Sequence, residues 1–272
     1  MQSSLEPMQR APGIEVTRDG LRAPISRVWV PEVPVALEFN GVAYAVMMAT
    51  PADLEDFATG FAIAEGLAVS SEQVADVAAA QVDKGWIVRA TVEGLGAETL
   101  GERVRARVAE SSCGLCGIEN LEAVARPLPL VAPHPPIDSV LIFGALGRLR
   151  DHQALARATG AAHAAAHILA DGTIACVRED VGRHNALDKL VGARARVGAS
   201  LKHGFILSTA RCSYEIVEKA VKAGATTLVT VSLPTSMAVE RASAAGLSLW
   251  VLARDDSVLA VTGPAAFGPS EG

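Results

Sequence analysis

The sharpest chemical signal in the chain is Ser111-Ser112-Cys113-Gly114-Leu115-Cys116-Gly117, which places two thiols on one short glycine-flanked stretch. The glycines permit an exposed backbone, and Ile118 to Ala125 reads as a helix starting just past the stretch, whose N-terminal dipole would favour thiolate over thiol. Thiolate is the form required both by sulfur nucleophiles and by metal ligation. Cys113 and Cys116 therefore admit several readings: a structural zinc half-site, a dithiol redox pair, a carrier of reactive sulfur, or an inert loop. A structural zinc needs about four ligands, and the chain offers no second Cys-x-x-Cys and no finger-spaced histidine pair. It also lacks His-x-Glu, and Ser112 stands where a zinc deaminase needs proline, so neither stoichiometric zinc nor cytidine deamination is expected. Just upstream, Arg103, Arg105 and Arg107 alternate with Val104, Ala106 and Val108, and an extended segment would gather those cations on one face; the plain alternative is a solvated face.

The second signal is Arg178-Glu179-Asp180-Val181-Gly182-Arg183-His184-Asn185-Ala186-Leu187-Asp188-Lys189, too polar for an ordinary strand-to-helix turn. Leu187, Leu190 and Val191 give the following helix a buried side, while Arg183, His184 and Asn185 fall in its first turn, where backbone donors favour anions. Asn and Asp side chains there could also read a heteroaromatic edge. A salt-bridged helix cap is the alternative. Thr159-Gly160-Ala161-Ala162-His163, Ser208-Thr209-Ala210-Arg211 and Pro234-Thr235-Ser236 adjoin expected strands, and in open α/β sheets strand ends form the ligand crevice. Cys176 reads as core, Cys212 has no partner by spacing, and His134, His152, His167 and His203 read as surface or packing residues.

The elements that must position these groups follow from turn chemistry and apolar period. Segments 25–30 and 33–39 are strand-like, Asn40-Gly41 marks a hairpin, and 74–82 and 86–92 flank Asp83-Lys84-Gly85 as a second one. Between them a helix is expected, with Thr50 as cap, Pro51 at its first position, Asp53 completing a capping box, the stripe Leu54, Phe57, Phe61 and a stop at Gly66. Five prolines between Leu121 and Pro136 indicate a connector. Downstream, strands near 163–169, 173–178, 204–209, 226–231 and 247–253 alternate with helices near 183–195, 213–223 and 236–245, and Gly224 and Gly246 punctuate the last two helix ends. The expected organisation is a flexible arm at 1–20, a smaller α+β domain at 21–130 carrying the cysteines, and an α/β domain at 131–272 with helices on its sheet.

With 272 residues, 50% apolar and 20% charged, and a mean hydropathy of +0.30, the chain can bury a substantial core. A net charge of −6 argues against nonspecific binding to nucleic acid or anionic membrane and leaves room for a local basic pocket. The longest uncharged run, Ala223 to Val239, contains Pro234 and is no membrane span; the N-terminus lacks a secretory pattern, so a reducing cytoplasm is expected.

At TPADLEDFATGFAIAEG (50–66), SSCGLCG (111–117), TGAAHAAA (159–166), VREDVGRHNALDKLVG (177–192), SYEIVEKAVKAGA and SLPTSMAVERA, the sequence resembles the FdhD family of formate dehydrogenase accessory sulfurtransferases. The resemblance implies a cytidine-deaminase-like mixed sheet with helices on both faces but without the deaminase zinc site, a smaller companion domain, and a homodimer. It implies that a cysteine desulfurase loads sulfane sulfur onto Cys113 with Cys116 assisting. That sulfur then passes to the bis-molybdopterin guanine dinucleotide molybdenum cofactor, bound as substrate, for delivery to formate dehydrogenase. The same resemblance assigns cofactor contacts to His163, Arg183, His184 and Asn185 and to Leu252, Ala253, Arg254, Asp255, Asp256 and Ser257. The chain departs from the family pattern at Thr209-Ala210, at Leu233 and in the C-terminal stretch from Leu252 to Gly263, which matches the family's cofactor-binding end only loosely and lacks the usual Phe and the Asn-x-Tyr that follows. A non-catalytic cofactor chaperone is the rival function, and a zinc-stabilised binding module a more distant one.

Overall fold

The computed structural model describes residues 10–108 and 126–264. Arg10–Val16 (β1) and Arg22–Val28 (β2) pair antiparallel as a separate ribbon, so the described part of the expected arm is a regular hairpin. Val33–Phe39 (β3) and Val42–Ala49 (β4) form the hairpin expected at Asn40-Gly41, both of which take positive φ. Asn40 also exchanges side-chain hydrogen bonds with the Val92 carbonyl and amide, tying this turn to the end of Gly85–Val92 (β6), whose own hairpin partner is Val74–Val82 (β5). The resulting four-stranded sheet runs β4-β3-β6-β5.

Leu54–Ala64 (α1) lies on this sheet: Phe61 is fully buried against Phe39 and Tyr44, and Phe57, also fully buried, meets the Phe61 ring edge-on. The expected Thr50 cap does not form. Asp53, at φ 53°, takes the N-cap position without a side-chain cap bond, and the Thr50 hydroxyl instead accepts the Val181 N–H at 3.1 Å. Ala97–Val108 (α2) follows β6, so Arg103, Arg105 and Arg107 lie on a helix rather than on one face of an extended segment. A six-residue alternation fits either period, and the helix already running from Ala97 decides it.

Beyond the proline-rich connector come Ser139–Leu149 (α3), capped by Asp138, and Ala154–Thr159 (α4). His163–Ile168 (β7), Ile174–Asp180 (β8), Arg183–Arg196 (α5), Phe205–Ser208 (β9), Tyr214–Lys222 (α6), Thr227–Thr230 (β10), Ser236–Ala245 (α7), Ser248–Val251 (β11) and Leu259–Thr262 (β12) complete the described chain. Their sheet is mixed, in the order β12-β11-β10-β9-β7-β8, with β9, β10 and β11 parallel.

Side-chain alternation gives each face of this sheet its own core. Ile206, Leu228 and Leu249 pack with α5, α6 and α7, whereas Phe205, Leu207, Val229 and Trp250 pack with Ile142, Ala145 and Leu149 of α3. The mixed sheet with helices on both faces is thus the architecture that the resemblance implies. α1 is buried along nearly its whole length because the four-stranded sheet covers one side and α5 the other. Gly60 and Gly192 make that crossing possible: a Cβ at Gly60 would stand 1.7 Å from the Asp188 carbonyl oxygen, and one at Gly192 1.8 Å from that of Asp56.

Candidate functional site

The strand order sends the carboxyl ends of β8, β9, β10 and β11, together with the start of β7, to one edge. His163 pairs with Asp180, Ala165 with Ser208, and Thr230 with Ser208. Helices α5, α6 and α7 all begin at this edge, each directly after one of these strands. Only α7 carries a side-chain cap, Thr235 accepting the Ala238 N–H at 3.2 Å; Gly182 and Ser213, the N-caps of α5 and α6, form none. Among the described residues the first-turn amides of α5 and α6 therefore have no side-chain cap, an arrangement that favours anions.

Charge converges on the same edge. His163 is part-buried at the start of β7, where burial, then Arg183, and further His184 and Arg211 hold its pKa below the ordinary histidine value. The Arg183 Nε and the Ser213 hydroxyl are buried there without protein partners among the described residues. His184 Nε2 lies 3.2 Å from Glu215 Oε2, and that contact holds the Glu215 carboxyl below its usual range. Glu215, in the first turn of α6, had no signal in the sequence beyond its acidic type.

The rest of the 178–189 string turns inward. Asp180 and Lys189 are fully buried and paired at 2.6 Å. Asp180 also accepts the Thr50 N–H at 3.0 Å, the Gly182 N–H at 2.7 Å and the Asn185 amide at 3.0 Å, and Lys189 Nζ donates to the Thr50 carbonyl at 2.9 Å. Every oxygen of the carboxylate is thus matched, as a buried ion requires. Asn185 differs from its neighbours: it is buried, and its amide nitrogen donates to Asp180 and to the Met48 carbonyl at 2.8 Å, so its donors are engaged inside the protein. Glu179 caps α4 through the Leu155 and Ala156 amides, and Arg178 pairs with Asp56 at 2.8 Å, which Arg196 also meets at 2.6 Å. Asp188 and Lys219 form a second buried pair at 3.0 Å, joined by Glu65 at 3.0 Å. Burial alone would lower the Lys219 pKa, but the two carboxylates outweigh it and hold the ammonium above the ordinary lysine range.

Leu252 to Ser257 follow β11 at this edge, three strand positions from β7, or roughly 14 Å. Leu252 takes φ 51°, and its N–H and that of Ala253 bond the Ser232 and Thr230 carbonyls, which folds the turn back over the end of β10. Ala253 is buried, whereas Arg254, Asp255, Asp256 and Ser257 are exposed. Arg254 donates to the Val231 carbonyl. The structure thus brings His163, Arg183 and His184 together and sets the 252–257 turn farther along the same edge. Cys113, Cys116 and the expected helix at 118–125 lie outside the described residues. Cys176 is part-buried with its Sγ 3.5 Å from Arg178 Nη1, and Cys212 is buried, its thiol pushed up to about 12 by burial.

A model of the FdhD/NarQ family matches residues 30–267. The chain belongs to that family. It is 44% identical over 245 residues to the sulfur carrier protein FdhD of Variovorax paradoxus, spanning 90% of this chain and 88% of that one. The FdhD of Xanthomonas euvesicatoria is 42% identical over 247 residues, spanning 91% and 88%, and that of Cupriavidus necator 44% over 218, spanning 80% and 76%. The fold is shared with a crystal structure described as a formate dehydrogenase accessory protein from Desulfotalea psychrophila, with a TM-score of 0.75, 19% identity, and coverage of 96% of this chain and 99% of that one. Among the described residues of this FdhD/NarQ chain, no helix is long and apolar enough to cross a membrane.

Proposed function

We propose that this chain is a sulfur carrier in the maturation of formate dehydrogenase, accepting sulfane sulfur on Cys113 and passing it to a molybdenum cofactor bound as substrate at the strand-end edge. The observation that carries the cofactor half is the convergence of His163, Arg183, His184 and Arg211 on the side-chain-uncapped starts of α5 and α6. Those groups suit the phosphates of a guanine dinucleotide, and the exposed Asp255 and Asp256 offer acceptors for the donor edge of the purine. The sulfur half is supported by the Cys113-x-x-Cys116 pair and by the names of the relatives.

In chemical terms, the Cys113 thiolate attacks the outer sulfur of a persulfide on a cysteine desulfurase, whose own thiolate leaves, and Cys113 retains the sulfane sulfur. The outer sulfur departs as hydrosulfide when the Cys116 thiolate attacks the Cys113 sulfur. That step supplies two electrons and leaves a Cys113–Cys116 disulfide for a cellular thiol to reduce.

The deciding experiment incubates the protein with a desulfurase and cysteine, then reads persulfide at each cysteine by mass spectrometry. Persulfide on Cys113, and loss of formate dehydrogenase activation in a folded Cys113→Ser variant, are expected; Cys176→Ser and Cys212→Ser should load normally. Full activation by Cys113→Ser would leave a cofactor chaperone as the function. One zinc per purified chain, lost on changing Cys116, would return the loop to a structural metal site.

A further inference from the structure

We infer that Glu215 is a specificity-determining residue of the strand-end anion site, where its carboxylate favours guanine pyrophosphates esterified at both ends over free nucleotides that carry additional phosphate charge. The inference rests on the proposed function for the class of ligand and deepens it, and every group it uses lies among the described residues. Tyr214 and Glu215 open α6 as Arg183 and His184 open α5, so Glu215 and His184 hold the second position of their helices. An acid at that position ordinarily complements the first-turn amides of its own helix. Here Oε2 instead stands 3.2 Å from His184 Nε2, in the gap between the two helix starts. The hydrogen bond from His184 is the largest influence on the carboxyl; with the added attraction of Lys219 and Arg183 it outweighs burial and keeps Glu215 charged. The side chain is 46% exposed, so the charge also faces whatever the edge binds.

A carboxylate among Arg183, Arg211 and two histidines weakens the attraction for every anion. What it contributes is a ceiling on charge. Lys219 does not offset it at the rim, because that ammonium is held by Asp188 and Glu65. Arg183 and Arg211 against Glu215 leave a single positive charge, the imidazoles aside. A pyrophosphate esterified at both ends carries about two negative charges, GDP about three and GTP about four. Each added charge meets further repulsion from Glu215, on the order of three- to tenfold in affinity at a half-exposed position. Repulsion is the discriminating term available, since base-edge contacts are the same for every guanine nucleotide and cannot separate a dinucleotide from free GTP.

The test is a calorimetric series on the full-length protein in EDTA, so that no divalent cation masks phosphate charge, with GDP-mannose as the doubly esterified pyrophosphate, GDP and GTP. In the natural sequence GTP should bind about tenfold more weakly than GDP, the reverse of the rise with charge that cations alone would give. In Glu215→Gln, GTP should gain about tenfold, GDP about threefold and GDP-mannose less than about twofold, whereas Glu215→Asp, which keeps the charge, should keep the natural order. A purely structural role for the His184 contact would shift all three ligands by one common factor. GTP binding as tightly as GDP in the natural sequence, or equal shifts for all three in Glu215→Gln, would overturn the inference and leave the guanine site standing. Failure of the underlying cofactor reading gives a different result, the absence of binding by any of the three, and that outcome overturns both.

Discussion

Two halves of one polar string behave in opposite ways. Asp180, Asn185, Asp188 and Lys189 turn into the protein, toward Met48, Thr50 and Lys219, and every charged group among them has a close partner of opposite sign. Arg183 and His184, on the same helix, face the strand-end edge together with His163, and there a guanidinium nitrogen and the Ser213 hydroxyl remain without partners among the described residues. The difference teaches that polarity alone does not mark a binding residue. Unused hydrogen-bond capacity gathered with cations at a strand-end edge is the better sign; single unpartnered atoms such as Thr227 Oγ1 and Trp250 Nε1 occur in the sheet as well and do not mark a site by themselves.

The inward half should break the fold when disturbed. Lys189→Met strands the Asp180 carboxylate without its cation, and a loss of about 3–5 kcal/mol in urea denaturation is expected. A loss below about 1 kcal/mol would show that these buried ions do not hold α5 in place. Gly60→Ala forces a methyl group onto the Asp188 carbonyl and should cost about 1–3 kcal/mol by the same measurement. An unchanged midpoint would mean that the helices separate easily.

The outward half should be silent in stability and visible in binding. Arg183→Ala should shift unfolding by less than about 0.5 kcal/mol yet weaken GDP by about tenfold in calorimetry, without preventing persulfide formation on Cys113. GDP affinity should fall as salt rises, whereas the preference for GDP over ADP should persist, since short-range base-edge bonds are little screened. Unchanged GDP binding in Arg183→Ala would return this half to a helix cap. The smallest effect concerns pH. Burial and the neighbouring Arg183, His184 and Arg211 keep His163 neutral at neutral pH, and a phosphate beside it favours the protonated ring. Binding then takes up a proton, so GDP affinity should rise about threefold from pH 8 to pH 6, and His163→Gln should flatten that part of the profile.

The hairpins at Asn40-Gly41 and Asp83 to Gly85 were legible because two or three residues decide each turn locally, and the downstream strand and helix alternation because each apolar run is bounded by glycine or by a polar cap. Thr50 was misread because a Thr-Pro-x-Asp run satisfies the capping pattern, while its real partners, Val181 and Asp180, lie about 130 residues away. α3 escaped notice since Gly144 and Gly147 interrupt its apolar stripe. Within the candidate site, the sequence located Arg183 and His184 at a helix start but could not separate them from Asn185. Which way each side chain turns depends on Met48 and on Lys189's burial against Phe57, contacts that only the assembled layers create.

The glycine crossing also bears on how the protein is made. Gly60 and Gly192 are about 130 residues apart, so at usual ribosomal speeds the α1 face around Asp56, Phe57 and Gly60 waits on the order of ten seconds for the helix that covers it. For most of that interval the emerging chain presents an apolar surface and the acid Asp56, whose two arginines have yet to be translated. Nascent chains stalled near residue 130 should therefore be strong clients of ribosome-associated chaperones, and release from them should coincide with the appearance of α5 outside the exit tunnel.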